Sequence, residues 1–238
     1  MKTIAIYPGR FHPFHRGHYA TYEYLVRSYG KENVFVASTN TQAPLTSPFS
    51  FEEKKQMMVA LGIPANRIVQ VKNPYKADEI TQQFDKNDTA VVFALSEKDT
   101  ARFSYTKKDG SPSYMQPFSD KIQLQPYSQH AYVEIAPTVN FSVGGQSVMS
   151  ASAIRSLYIG ATDELREKII ADLYGAYLPK IKQLFDRKLA LVEAANTLLL
   201  AYKQQLFESK SAPITRLVGI LDAEKRATAE FNLQNYII

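Results

Sequence analysis

Cysteine and tryptophan are both absent from the 238-residue chain. Without cysteine there is no disulfide staple, no thiolate zinc site and no cysteine nucleophile, and the redox compartment is left open. No stretch approaches the roughly 18 apolar residues that a membrane span requires, and the opening run Met1–Tyr7 is too short for a signal peptide. Cytoplasmic residence without a membrane partner is therefore expected. A dense Lys/Arg stripe is also missing. The net charge of +5 divides into 17 basic against 13 acidic residues up to Gly160 and 11 against 10 after it. So small a bias suits a phosphorylated small molecule and argues against nucleic acid. No internal repeat or low-complexity segment breaks the chain.

What is present reads as an ordinary globular protein. The chain is long enough for a well-buried core, and 45% hydrophobic against 21% charged residues excludes a disordered one. Thr3–Tyr7 reads as a buried strand, followed by a Gly/Pro/His loop and a helix over 17–29. Val34–Ala37 is a second strand, and Ser50-Phe51-Glu52-Glu53 is a capping-box pattern opening a helix to about Leu61. Ile68–Val71, a helix over Asp78–Phe84 and the strand Ala90–Leu95 follow. This alternation predicts an α/β fold, a doubly wound Rossmann-like parallel sheet with helices on both faces. The Ser96–His130 region breaks the rhythm and reads as long loops around one or two short elements. Ala131–Ile135 is the last main strand, Gly144-Gly145 a turn, and Ser150 opens a helix. Beyond Thr162 the pattern is helical, with a long run from Ile181 to Phe207 and a final helix after Pro213 carrying Leu217, Ile220 and Leu221. The expected division is a domain over 1–160 and a helical C-terminal extension over 161–238.

Three of the four histidines, His12, His15 and His18, fall within seven residues just after the first strand. In a doubly wound sheet that loop opens on the carboxyl ends of the strands, where ligands bind. Gly9 lets backbone approach a ligand, Pro13 stiffens the loop, and Gly17 permits close packing at the helix start. His15 and His18, three apart on the first turn, point the same way and can donate N–H to phosphate oxygens beside the helix amides. The competing readings are a metal site, for which a regular ligand framework is lacking, and plain helix capping. His12 reads as a loop residue and His130 as structural or surface.

Gly9-Arg10-Phe11-His12-Pro13-Phe14-His15-Arg16-Gly17-His18 resembles the first motif of the HxGH nucleotidyltransferase superfamily, in a form most similar to the nicotinamide mononucleotide adenylyltransferases. Ser150-Ala151-Ser152-Ala153-Ile154-Arg155, preceded by Met149, is similar to that superfamily's second motif. On its own the Ser-x-Ser-x-x-Arg pattern would be helix capping; paired with the histidine segment it reads as the other half of a site. The resemblance covers about residues 1–160.

The resemblance implies a nucleotidyltransferase that moves a nucleoside monophosphate, AMP from ATP, to a phosphorylated acceptor such as nicotinamide mononucleotide, giving NAD and pyrophosphate. It implies catalytic roles for His15, His18 and Arg155, and nucleotide or phosphate contacts from Gly9, Arg10, Phe11, Gly17, Ser150, Ser152 and Lys54. Mg²⁺ would be held mainly through the phosphates, with no protein metal site. Lys54 stands where the family carries arginine, and the solvated-helix reading of Lys54 and Lys55 stands beside the phosphate one. Leu95-Ser96-Glu97-Lys98-Asp99 departs from the family's Gly-x-Asp. With no tryptophan, ring stacking on the acceptor would fall to Phe103, Tyr105, Tyr114 or Phe118. Cytidylyl or adenylyl transfer to another phosphorylated acceptor, and a non-catalytic protein that kept the fold, stay open. Class I aminoacyl-tRNA synthetases share the histidine motif, but the second motif here has no lysine and the chain is short for their usual domains. The C-terminal helices offer a surface for a protein partner or a second copy.

Overall fold

The structure is a computed structural model that describes residues 1–101, 103–119, 123–137, 139, 141–147 and 150–208. Met149 and the final helix expected after Pro213 lie outside the described residues. Among the described residues eight strands and seven α-helices follow in chain order: β1 Lys2–Pro8, α1 Arg16–Tyr29, β2 Val34–Ser38, α2 Phe51–Ala60, β3 Ile68–Gln70, α3 Asp78–Thr81, β4 Thr89–Leu95, α4 Glu97–Thr100, β5 Met115–Pro117, β6 Ala131–Ile135, β7 Ser142–Val143, β8 Gln146–Ser147, α5 Ala151–Ile159, α6 Asp163–Tyr174 and α7 Pro179–Glu208. Six strands form one parallel sheet in the order β3-β2-β1-β4-β6-β5, a Rossmann-like α/β fold with helices at the C-terminus. The order reverses between β1 and β4, so the loop after β1 opens at the switch point, where crevices form in such sheets. The short hairpin of β7 and β8 stands apart.

Side chains alternate across the sheet as strand geometry requires. Ala5 and Tyr7 of β1 face one core, with Val34, Val36 and Ala94. Ile4 and Ile6 face the other, with Phe35, Val91 and Phe93. The first core is the larger. It takes Tyr22 and Leu25 from α1, Met57 and Met58 from α2, Ile154 and Tyr158 from α5, Ile170 and Leu173 from α6, and Leu184, Phe185 and Leu189 from α7. The second face is covered differently from the expected layer of helices. There α3 is a single turn, shorter than the helix read over Asp78–Phe84, and supplies Ile80, while Met115 of β5 and Tyr127 of the loop before β6 pack beside it.

Local signals act where they were read. Ser50 and Glu53 form a complete capping box on α2, with Glu53 N donating to Ser50 Oγ (3.3 Å) and Ser50 N to Glu53 Oε2 (2.8 Å). Ser150 caps α5 by accepting from Ala153 N at 3.2 Å. The helices beyond Gly160 are bonded to the rest of the protein as well as packed on it. Tyr174 Oη donates to the Phe14 carbonyl at 2.8 Å in a fully buried contact. Arg187 Nη2 (3.1 Å) and Lys188 Nζ (3.2 Å) both reach Glu53 Oε1. Further out, α7 exposes Leu198, Leu200 and Tyr202. Among the described residues no helix is long and apolar enough to cross a membrane.

Candidate active site

The loop that leaves β1 is held by packing and by hydrogen bonds. Gly9 N donates to the Ala37 carbonyl at 3.0 Å. Phe11, with φ of +52°, folds its ring back over Gly9, where a Cβ would meet ring atoms at 2.3–2.8 Å. The space that glycine leaves there is thus filled by Phe11, whereas the sequence suggested room for a ligand. Phe11 is buried, edge-on to Tyr7, Phe14 and His18 at centroid distances of 5.1–5.3 Å. At Gly17 a Cβ would come within 2.7 Å of Phe141 and 3.1 Å of the His15 ring. Arg16, the neighbour of His15, lies over the Phe141 ring (4.9 Å) and donates to the Ser142 carbonyl.

His15 caps α1: its Nδ1 accepts from Gly17 N at 3.2 Å, and its ring stacks on His18 with centroids 3.8 Å apart. Burial, then His18 and Arg16, hold the His15 pKa well below the usual histidine value. His18 is pushed down to about 4 by burial. Both rings are therefore neutral at pH 7. Because Nδ1 of His15 accepts, its single proton sits on Nε2, which makes that atom a donor. His18 Nδ1 is buried and has no hydrogen-bond partner among the described residues. His12 lies deeper. Its Nδ1 accepts from Phe49 N at 3.3 Å, its ring stacks on Phe49, and its pKa is pushed down to about 3, first by burial and then by Lys54, Arg155 and Arg10. It is a structural member of the loop, in line with its sequence reading.

Arg155 of α5 reaches across 143 positions to bond the His12 carbonyl through Nη1 (2.7 Å), with Nη2 on the Leu45 carbonyl (3.3 Å). It is buried, and its pKa is lowered by that burial and by Arg10. Lys54 is also buried, yet among the described residues Arg10, Lys54 and Arg155 have no carboxylate partner. Two buried cations and the exposed Arg10 beside them, without a counter-ion, favour an anion.

The remaining residues divide clearly. Ser150 and Ser152 share a hydrogen bond between hydroxyls at 3.0 Å at the start of α5. Lys54 Nζ donates to the Arg10 carbonyl (3.2 Å), Ser38 Oγ (2.8 Å) and the Thr39 carbonyl (2.6 Å), so all three protons go to protein and none remains for a phosphate. Neither the phosphate contact nor the solvated-helix reading describes this placement. A signal for it exists: Phe51, Met57 and Met58 lie three before, three after and four after Lys54, on one buried helix face. Sequence reading also passed over Ser38, Phe49 and Phe141. Ser96 Oγ is engaged with Asp99 Oδ2 at 2.8 Å. Among the described residues no group of three or more His, Cys, Asp or Glu side chains is placed to hold a metal ion.

On the far face of the sheet a cavity of about 510 Å³ is lined by Phe93, Phe103, Tyr114 and Tyr127, with Asn73 and Lys76. Two of the four aromatic residues considered for ring stacking, Phe103 and Tyr114, meet there. Phe118 instead packs edge-on to Tyr29, and Tyr105 is not part of the lining.

A cytidylyltransferase-like family model matches residues 6–116, which includes the whole histidine segment. No curated protein matches the chain. Among solved structures, the chain is similar to a bifunctional NMN adenylyltransferase/ADP ribose pyrophosphatase from Francisella tularensis complexed with AMP and Mn ion. The two share 18% identity with a TM-score of 0.53, over 90% of this chain and 58% of that one. The chain thus spans little more than half of that protein's length. A nicotinic acid mononucleotide adenylyltransferase from Plasmodium falciparum complexed with NaAD is 13% identical, with a TM-score of 0.44 over 81% of this chain and 98% of that one. The structural likeness shows the fold, and the family model covers residues 6–116, just under half of the chain.

Proposed function

We propose that the protein transfers AMP from ATP to a phosphorylated acceptor, with nicotinamide mononucleotide as first candidate and NAD as product. The observation that carries this reading is the neutral His15–His18 pair at the start of α1, reached by the same loop whose His12 lies beside the buried cations Lys54 and Arg155 and beside Arg10. A phosphate oxygen of the acceptor attacks the α-phosphorus of ATP; that O–P bond forms while the bond to the β-phosphate oxygen breaks, and pyrophosphate leaves. No side chain serves as nucleophile. Rate enhancement comes from holding the partners in line and from meeting the charge that builds on the departing phosphates.

In this reading the Nε2–H of His15 and the ring of His18 serve the α and β phosphates. The start of α5, with Ser150, Ser152 and the charge of Arg155, serves the β and γ phosphates. Gly9, Arg10, Phe11 and Gly17 shape the loop around them. Neutral imidazoles suit this task, because they donate a hydrogen bond without requiring a proton transfer. Mg²⁺ would be held mainly through the phosphates of the nucleotide, where it would neutralise part of their charge. The exposed Leu198, Leu200 and Tyr202 on α7 are the place for a second copy or protein partner.

The test is pyrophosphate release from ATP or CTP, with Mg²⁺, against a panel of nicotinamide mononucleotide, phosphopantetheine, glycerol phosphate, a sugar phosphate and a flavin mononucleotide. Release with ATP and nicotinamide mononucleotide, with NAD formed, is expected. Release with CTP or another acceptor would redirect the substrate assignment. No release from any pair, together with no calorimetric binding of Mg·ATP, would leave a non-catalytic protein that kept the fold.

A further inference from the structure

Lys54 is fully shielded from solvent, and its ammonium group is surrounded by the ends of two strands. It bonds the Arg10 carbonyl at 3.2 Å and the Thr39 carbonyl at 2.6 Å, and donates to Ser38 Oγ at 2.8 Å. Ser38 passes its own proton to the Gly9 carbonyl at 2.9 Å. One ammonium thus holds two successive carbonyls of the loop after β1, one directly and one through Ser38, and ties them to the loop after β2. Burial lowers its pKa only to about 8, which leaves it charged at pH 7.

The consequence lies on the other side of those peptides. Across a trans peptide the C=O and N–H point in opposite directions. The cis bond of this loop is His12–Pro13, so the Gly9–Arg10 and Arg10–Phe11 bonds are trans. With their carbonyls drawn toward Lys54 and Ser38, the N–H groups of Arg10 and Phe11 face away from the lysine. Neither finds an acceptor among the described residues. Phe11 itself has φ of +52°, in the left-handed region found in turns whose successive amides form a concave anion site.

The geometry points to Lys54 as a positioning residue, one that touches no phosphate but holds the Gly9–Phe11 backbone so that the amides of Arg10 and Phe11 meet a polyphosphate oxyanion. This deepens the nucleotidyltransferase reading and rests on it for the identity of the anion, the donor's triphosphate. It also accounts for a buried lysine whose protons are all taken by protein. A long cation reaching the phosphate itself would need at least one of them free.

Inorganic tripolyphosphate is the probe, followed by amide resonances of the full chain and by calorimetry. In the unaltered protein the amides of Arg10 and Phe11 should move on binding. Lys54→Met should bind at least tenfold more weakly and lose both responses. Ser38→Ala, which cuts the relay to Gly9 but keeps the bond to the Arg10 carbonyl, should lose the Arg10 response and keep that of Phe11. A merely structural lysine would not separate these two amides. Tripolyphosphate binding that leaves both amides unmoved in the unaltered protein overturns the inference alone, and needs no variant to fold. Variants that bind and respond like the unaltered protein overturn it as well. Absence of binding of both tripolyphosphate and Mg·ATP removes it together with the functional reading.

Discussion

Replacing His18 by leucine separates the chemistry of the site from its packing. His18 is enclosed by His15, Phe11 and Phe14, with ring centroids 3.8, 5.1 and 5.2 Å away, and its Nδ1 is buried without a partner among the described residues. A buried polar atom left unsatisfied costs about 1–3 kcal/mol. Leucine keeps the bulk and removes that cost, so His18→Leu should be as stable as the original or more so, by about 1 kcal/mol. His18→Ala would instead open space among three rings and confuse the two effects. In the proposed reaction His18 donates to the phosphates, and losing that donor should lower kcat by about two to three powers of ten. Urea unfolding followed by tyrosine fluorescence measures the first quantity, and pyrophosphate release from ATP the second. Turnover within threefold of the original, or a loss of stability beyond about 2 kcal/mol, would refute the reasoning. The first result would remove His18 from the chemistry, and the second would mean its ring is held by interactions that leucine cannot replace.

Other expectations follow from the same geometry. Because His12, His15 and His18 have folded pKa values below that of an unfolded histidine, about 6.5, the unfolded chain binds more protons as pH falls. Stability should be level above about pH 7 and decline from about 6.5 to 5, before most carboxylates titrate; a melting temperature flat over that window would count against the buried neutral histidines. Arg155→Lys loses the planar fork that spans the His12 and Leu45 carbonyls, and should lower kcat/KM for pyrophosphate release at least tenfold. Unchanged release would set Arg155 aside. Phe185, fully buried against Phe49, Tyr158 and Tyr174, should cost about 3–5 kcal/mol on substitution by alanine. A loss under 1 kcal/mol in urea unfolding would show that α7 is not an integral part of this core.

Local chemistry was legible because its signals are contiguous. Alternation and apolar runs marked β1, β2, β4 and β6, and the side chains that cap a helix lie within three residues of the amides they bond, as at Ser50 and Ser150. The histidine segment is legible for the same reason: His15 caps its own helix and lies one turn from His18. The short edge strand β5 falls in the region read as loops around one or two short elements, and neither its type nor its position was legible. Its three residues, Met115–Pro117, carry too little pattern to stand out from the surrounding loops, and pairing with β6 defines it.

By itself the sequence determined the order of the main strands and helices, the caps, and the two motifs, since each depends on neighbours within a few residues. Tertiary structure alone decided which partners those residues meet across the chain. Arg155 finds the His12 carbonyl 143 positions away, Phe185 lies against Phe49, and Lys188 meets Glu53 beside the lysine that holds the histidine loop. The physical reason is that a buried charge must find its acceptors wherever the fold brings them. In Lys54 those acceptors are the ends of two parallel strands, adjacent in the sheet and about thirty positions apart in sequence.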